Sequence, residues 1–230
     1  MSDSKQFFAI DPKCNALYPG FKAGILIVEG IHNVQSDGAI QKMKAELEVN
    51  IRQQYAGFSR EQLGEVPIIK AYNAYYKKFE KTYHVRSQVE SIIKGKPMSN
   101  ISAMLDAMFM AELKNIILTA GHDLDTLELP ITLSVGDGIE TYVQISGSDK
   151  KVHQNDLLMR DVQGIISTIV NGPDSRTKLT AQTKNALFAV YVPAEVPKGV
   201  VENHLKDIQN AILIFSKEAQ TKLLEVFVIG

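Results

Sequence analysis

The chain has 230 residues, 45% of them apolar and 22% charged, which is enough apolar material for a buried core and too much for a disordered polymer. Its net charge of -1 supplies no global attraction to polyanions, so any nucleic-acid or membrane binding must come from a local patch. A single cysteine, Cys14, excludes an internal disulfide and points to a reducing compartment.

The opening Met-Ser-Asp-Ser-Lys lacks the basic and apolar regions of a signal peptide. Apolar runs such as Gly24 to Val28 are too short to span a bilayer. The expected address is the cytoplasm, with no membrane partner. Gln6 to Ile10 and Ala23 to Val28 read as short strands around the turn Tyr18-Pro19-Gly20. A helix is predicted from Ser36 to Tyr55, with Ile40, Met43, Leu47 and Ile51 on one face. Ser59 to Gln62 has capping-box spacing. From Pro67 a second helix places Ile68, Tyr72, Tyr76 and Phe79 on one stripe. Ser87 to Glu90 has capping-box spacing too, and that helix is expected to stop at Lys94-Gly95-Lys96-Pro97. A helix around Ile101 to Leu113 turns Met104, Leu105 and Met108 inward.

Strand character follows. Ile116 to Thr119 reads as a strand, Gly121-His122-Asp123 as a turn, and Leu127 to Val135 as an alternating strand. Gly136-Asp137-Gly138 is expected to return it as a hairpin through Tyr142, Val143 and Ile145. Further strands are predicted at Leu157 to Met159, Ile165 to Val170 and Ala186 to Val192. A last helix from Gly199 to Lys217 and a strand from Leu223 to Ile229 complete the chain. The expected fold is α+β, one domain over residues 1–230, with helices packed on mostly antiparallel β-layers.

Standard catalytic motifs are absent: no phosphate loop, no dinucleotide fingerprint and no nucleophile elbow. The five histidines are too scattered for a local zinc signature, so neither a metal nor a cofactor is expected. Cys14 reads as a small buried thiol. Residues 70–96 carry seven basic side chains against Glu80 and Glu90, a local excess of +5. Lys70, Lys77, Lys78, Lys81 and Arg86, interleaved with Tyr72, Tyr75, Tyr76 and Tyr83, could grip phosphates and stack on bases. The plainer alternative turns the tyrosines inward and leaves the lysines as a solvated face. A second polar set surrounds His122: Asp106, Asp123 and Asp125, with Asn171, Asp174, Arg176 and Thr177 downstream. A histidine beside carboxylates could act as a general base, or these residues could satisfy local turns.

The run Asn100 to Leu127, from Asn-Ile-Ser-Ala-Met-Leu-Asp-Ala-Met-Phe through Gly-His-Asp-Leu-Asp-Thr-Leu, resembles the editing module of the phenylalanyl-tRNA synthetase beta subunit. That module reads roughly N-x-V-V-D-V-T-N-Y-V and then G-Q-P-M-H-A-F-D. Asp106 and Asp123 match its two aspartates without a gap. Leu157 to Asp161 and Thr183 to Leu187 resemble the family's L-V-I-A-D and T-x-N-V-L-L-E segments, so the likeness covers about residues 67–192.

The resemblance implies helices on β-layers and a free-standing domain that binds tRNA or aminoacyl-tRNA, one form of which is a trans-acting deacylase with an altered site. It implies no aminoacylation, since the chain has no room for a synthetase core. The family's Thr-Asn pair falls at Met108 and Phe109, its histidine at Ala120 and its glutamate at Ala189. By position, the implied substrate-binding residues are Asp106, Met108, Phe109, Ala120, Asn171, Arg176, Thr177 and Ala189, with His122 and Asp123 as the catalytic candidates. The implied tRNA contacts are Lys70, Lys77, Lys78, Lys81 and Arg86. These apolar replacements equally suit a different function, a small-molecule binder with a free amino acid as ligand and no role for RNA.

Overall fold

A computed structural model describes residues 6–230. The long apolar runs become the centre of a four-stranded antiparallel sheet. β2 (Lys22–Glu29) and β10 (Ala186–Val192) pair residue for residue, Ala186 opposite Val28 and Val192 opposite Lys22. β3 (Thr119–Asp123) and β11 (Gln220–Val228) complete the order β11-β2-β10-β3. Both faces of this sheet are covered, which is why its inner strands are continuously apolar rather than alternating. On one face Leu26, Val28, Phe188 and Val190 meet α6 (Ala103–Asn115) and α7 (Lys198–Phe215). Gly24 permits this approach, since a Cβ there would stand 2.5 Å from Val190 Cγ2 and 3.1 Å from Val201 Cγ1.

On the other face Ile25, Ile27, Leu187, Ala189 and Tyr191 join a core with α4 (Pro67–Lys77) and α5 (His84–Ile93). That core also includes the five-stranded sheet β1-β4-β7-β8-β9. Its strands are β1 (Phe8–Ile10), β4 (Ile131–Val135), β7 (Leu157–Arg160), β8 (Ile165–Thr168) and β9 (Gly172–Pro173). β1 runs parallel to β4 and the remaining pairs are antiparallel. β5 (Thr141–Val143) and β6 (Asp149–Lys151) form a separate ribbon. α1 (Lys13–Leu17), α2 (Gly38–Gln54) and α3 (Arg60–Gly64) lie among these elements. The fold is α+β, as expected. β2, from the first half of the chain, supplies an inner strand of the four-stranded sheet.

Several local expectations change in the fold. α5 begins at His84, not at Ser87, because buried Tyr83 pins the entry by donating to the Ile116 carbonyl at 3.0 Å, and Val85, Val89 and Ile92 form the buried stripe. Gly121-His122-Asp123 is not a turn but the body of β3, paired with Phe188, Leu187 and Ala186. The glycine serves close packing there. A Cβ on Gly121 would meet Leu179 Cδ1 at 2.5 Å and Met108 Sδ at 3.0 Å. The expected hairpin at Gly136 to Gly138 does not form either. β4 takes β7 as its partner, and a Cβ on Gly136 would strike Val152 Cγ1 at 2.4 Å. The capping box at Ser59 is present with both bonds.

Candidate binding site

The site is built from the residues that follow the start of α6. Ser102 caps this helix by accepting the Leu105 N–H. One turn in, Asp106 is buried and accepts Lys44 Nζ at 2.9 Å, Gln41 Nε2 at 3.0 Å and the Ile101 N–H at 3.3 Å. Lys44 is buried as well and donates to the Ser99 carbonyl at 2.7 Å. Asp106 therefore ties α2 to α6, and every contact it makes is structural.

The next turns of α6 open onto a cavity of about 260 Å³. Met108 and Phe109 line it from α6, Ala120 and Gly121 from β3, and Tyr191 from β10. Ala189 faces Ala120 directly across the β3–β10 ladder. The four positions where the family's polar groups would fall are thus gathered in space, and all four are apolar. The walls are mostly apolar, and the polar groups among them are few.

One of these is Glu112, which sequence reasoning passed over. Its Oε2 accepts the Thr119 N–H at 2.9 Å, and Oε1 makes no hydrogen bond among the described residues. Burial pushes its carboxyl up to about 8, so it is largely protonated at neutral pH. Another is Gln88, whose buried Oε1 has no hydrogen-bond partner among the described residues. The available signal was an acidic residue inside the otherwise apolar run Ala107 to Leu113.

His122 lies outside this cavity. It is fully buried, and its Nδ1 stands 2.7 Å from Thr177 Oγ1. The Thr177 hydroxyl donates to Asp174 Oδ1, so the hydroxyl oxygen is free to accept and His122 carries its proton on Nδ1. Its Nε2 is buried with no partner among the described residues. Burial, reinforced by the nearby Arg176 guanidinium, lowers the imidazole to about 3 and keeps it neutral. Arg176 completes the group by pairing with Asp161 at 2.8 Å and Asp174 at 3.7 Å. Asp123 accepts the Asp125 N–H at 3.1 Å and Thr183 Oγ1 at 2.6 Å. Asn171 bonds the end of β6, donating to the Lys151 carbonyl at 3.2 Å. Met108, Phe109 and Ala120 therefore share one cavity with Ala189 beside it. Asp106, His122, Asp123, Asn171, Arg176 and Thr177 belong to other neighbourhoods.

The basic segment resolves toward its plainer reading in one respect. Tyr72, Tyr75, Tyr76 and Tyr83 are all buried. Tyr72 donates to the Tyr191 carbonyl at 2.6 Å, Tyr76 to the Ile169 carbonyl at 2.7 Å, and Tyr75 to Asp156 Oδ1 at 2.7 Å. Stacking of bases on these rings is excluded by their burial. Of the cations, Lys70 pairs with Glu65 and Arg86 with Glu90. Lys77 and Lys81 are exposed and form no ion pair among the described residues, while exposed Lys78 sits 5.2 Å from the centre of the Tyr18 ring. Among the described residues no three His, Cys, Asp or Glu side chains converge as metal ligands would. No helix among them is long and apolar enough to cross a membrane.

No family model and no curated protein matches the sequence. Among solved structures the chain is similar to an N-terminal fragment of the phenylalanyl-tRNA synthetase beta subunit from Pyrococcus horikoshii, with a TM-score of 0.51 and 13% identity. The match covers 94% of this chain and 50% of that one, so the chain spans about half the length of the fragment. At this identity the likeness is one of fold alone, a distant structural relationship.

Proposed function

We propose that the protein binds a small molecule with an apolar, amino-acid-like body in the cavity between α5, α6 and β3. The supporting observation is that cavity: about 260 Å³ walled mainly by apolar side chains, with a buried acceptor on Gln88 beside it that is unpartnered among the described residues. Apolar walls with a few placed polar groups are the usual build of a small-ligand site. A ligand that binds only the folded form raises the melting temperature. Thermal-shift screening of apolar compounds and free amino acids is the direct test. The expected result is a rise for at least one apolar compound that is lost when Ala120→Phe fills the space. No rise across the panel would sink the reading.

A second reading has one observation in its favour. Lys77, Lys78 and Lys81 are solvent-facing and free of acidic partners among the described residues, a row suited to phosphate contact. On this reading the apolar body arrives as the aminoacyl end of a tRNA, and the synthetase-like fold is a carrier for that interaction. Titration with tRNA at several salt concentrations tests it, since phosphate contacts weaken steeply with salt. Incubation with aminoacylated tRNA would then separate binding from hydrolysis. Release of an amino acid above the uncatalysed rate would return His122 and Asp123 to the list of reacting groups.

A further inference from the structure

The four-stranded sheet ends on β11, whose outer side carries no further strand among the described residues. The directions of its backbone groups follow from the residue just after it. The Ile229 N–H donates to the Phe21 carbonyl at 2.8 Å, and the Ile229 carbonyl accepts the Gly20 N–H at 2.7 Å. Ile229 thus turns both groups toward the β2 side. In an antiparallel pair this orientation alternates along the strand, and the register from Leu223 to Val228 is unbroken. Leu223, Glu225 and Phe227 therefore bond β2, while Leu224, Val226 and Val228 each aim an N–H and a C=O away from the sheet. None of these outward groups has a hydrogen bond among the described residues. A bare edge of this kind is a template for another strand.

The three outward residues are symmetric about Val226. We propose that β11 pairs antiparallel with β11 of a second copy of this chain, about a two-fold axis at Val226, joining the two sheets into one. A two-fold axis normal to a sheet keeps each side chain on its own face, so the axis must stand level with a residue. With the axis at Val226, Leu224 faces Val228 of the second copy and Val226 faces its counterpart, and every outward N–H and C=O finds a mate. The side chains agree with the backbone. Leu224, Val226 and Val228 share the face of Leu26, Gly24 and Lys22 on β2, so aliphatic meets aliphatic at each rung. Val228, 45% exposed in a single copy, is covered by Leu224 of the other. On the opposite face Glu225 stands across from Phe227. An axis at Glu225 would instead set like charges against each other, and one at Leu224 would set Val226 against Lys222, where the register slips. That bulge also ends the ladder, since it bends the strand away beyond Leu224. Any extended strand could match the backbone, and it is the self-pairing of the side chains that selects a second copy.

The contact is short, so the association is expected to depend on concentration. Sedimentation of the full chain from about 5 to 500 µM should show a mass rising from 25.5 kDa toward twice that value. Amide exchange followed by NMR over the same range locates the contact. The N–H groups of Leu224, Val226 and Val228 should gain protection with concentration, while those of Glu225 and Phe227, bonded to β2, should be protected throughout. Val228→Pro removes an outward N–H and no bond to β2, a change that an edge strand tolerates. It should weaken the dimer at least about tenfold, one donor being lost from each copy, and leave the thermal midpoint of the dilute protein unchanged. Val228→Ile keeps the donor and should keep the dimer. A monomer at every concentration would overturn the proposal, even where an added peptide of unrelated sequence protects the same three amides. Protection that does not vary with concentration would overturn it too, and so would a dimer in which those amides exchange freely.

Discussion

β3 separates two polar neighbourhoods that are built on opposite plans. At one end, His122, Thr177, Asp174, Arg176 and Asp161 hand hydrogen bonds and charge to one another until one buried nitrogen is left over. At the other, Glu112 and Gln88 border a cavity of about 260 Å³, where Glu112 Oε2 holds the Thr119 N–H and the buried Gln88 Oε1 has no partner among the described residues. The first set contains the residues a chemist would pick from sequence as a catalytic group. The second contains one carboxyl and one amide in an apolar stretch. Polar side chains that close on each other hold a fold together, whereas one left unpaired beside a cavity calls for an explanation, which the proposed ligand would supply.

The largest expected effect lies in a closed cluster. Asp106→Ala strands the buried Lys44 ammonium without its 2.9 Å partner and should cost about 3–5 kcal/mol in chemical denaturation. A loss below about 1 kcal/mol would mean that Asp106 is not the clamp between α2 and α6. Gly121→Ala should cost about 1–3 kcal/mol, because the new methyl must displace Leu179 and Met108. It should also shrink the thermal shift given by any apolar compound that binds the cavity, as the strand between the two neighbourhoods moves toward it. Unchanged stability would show that the packing there is looser than the distances imply.

A pH series distinguishes the neighbourhoods by sign. Glu112 has a raised value of about 8, so its contribution to stability is complete below its unfolded value and is lost as pH rises through about 8. His122 is lowered to about 3, so its contribution is complete above its unfolded value and is lost as pH falls toward 3. Between pH 6 and 8 the wild type should lose about 1–3 kcal/mol relative to Glu112→Gln. Parallel curves for the two proteins would remove Glu112 from the titration. The smallest effect is expected at the exposed row. Replacing Lys77, Lys78 and Lys81 by Gln should change stability by less than about 0.5 kcal/mol. It should reduce tRNA affinity if that row meets phosphate, and an unchanged affinity would take the row out of any RNA interface.

Much of the architecture was written locally. β10 coincides with its predicted span, and α2 and α7 fall within two residues of theirs. Long apolar runs and helical spacing depend on neighbours a few positions away, so they survive without knowledge of the fold. The site was legible in part. Met108, Phe109 and Ala120 were flagged by motif position and do meet at one cavity, while Asp106 and His122 were flagged for their chemistry and turned out to be enclosed elsewhere. A residue type announces what it could do, and its surroundings decide whether it is free to do it.

What the sequence by itself determined, then, is the α+β class, the spans of α2 and α7 and the apolar strands, because burial and periodicity are properties of short segments. The inward face of α2 was only partly legible, since Met43 is exposed and Lys44 buried. Tertiary structure alone decided that Gly121 lies in a strand rather than a turn, since the reason is contact with Leu179 and Met108. It also decided that the tyrosines of residues 72–83 face the core and that Glu112 stands at an empty space. A cavity is a relation between segments distant in the chain, and the pKa of a carboxyl follows from what encloses it, so neither can be read one segment at a time.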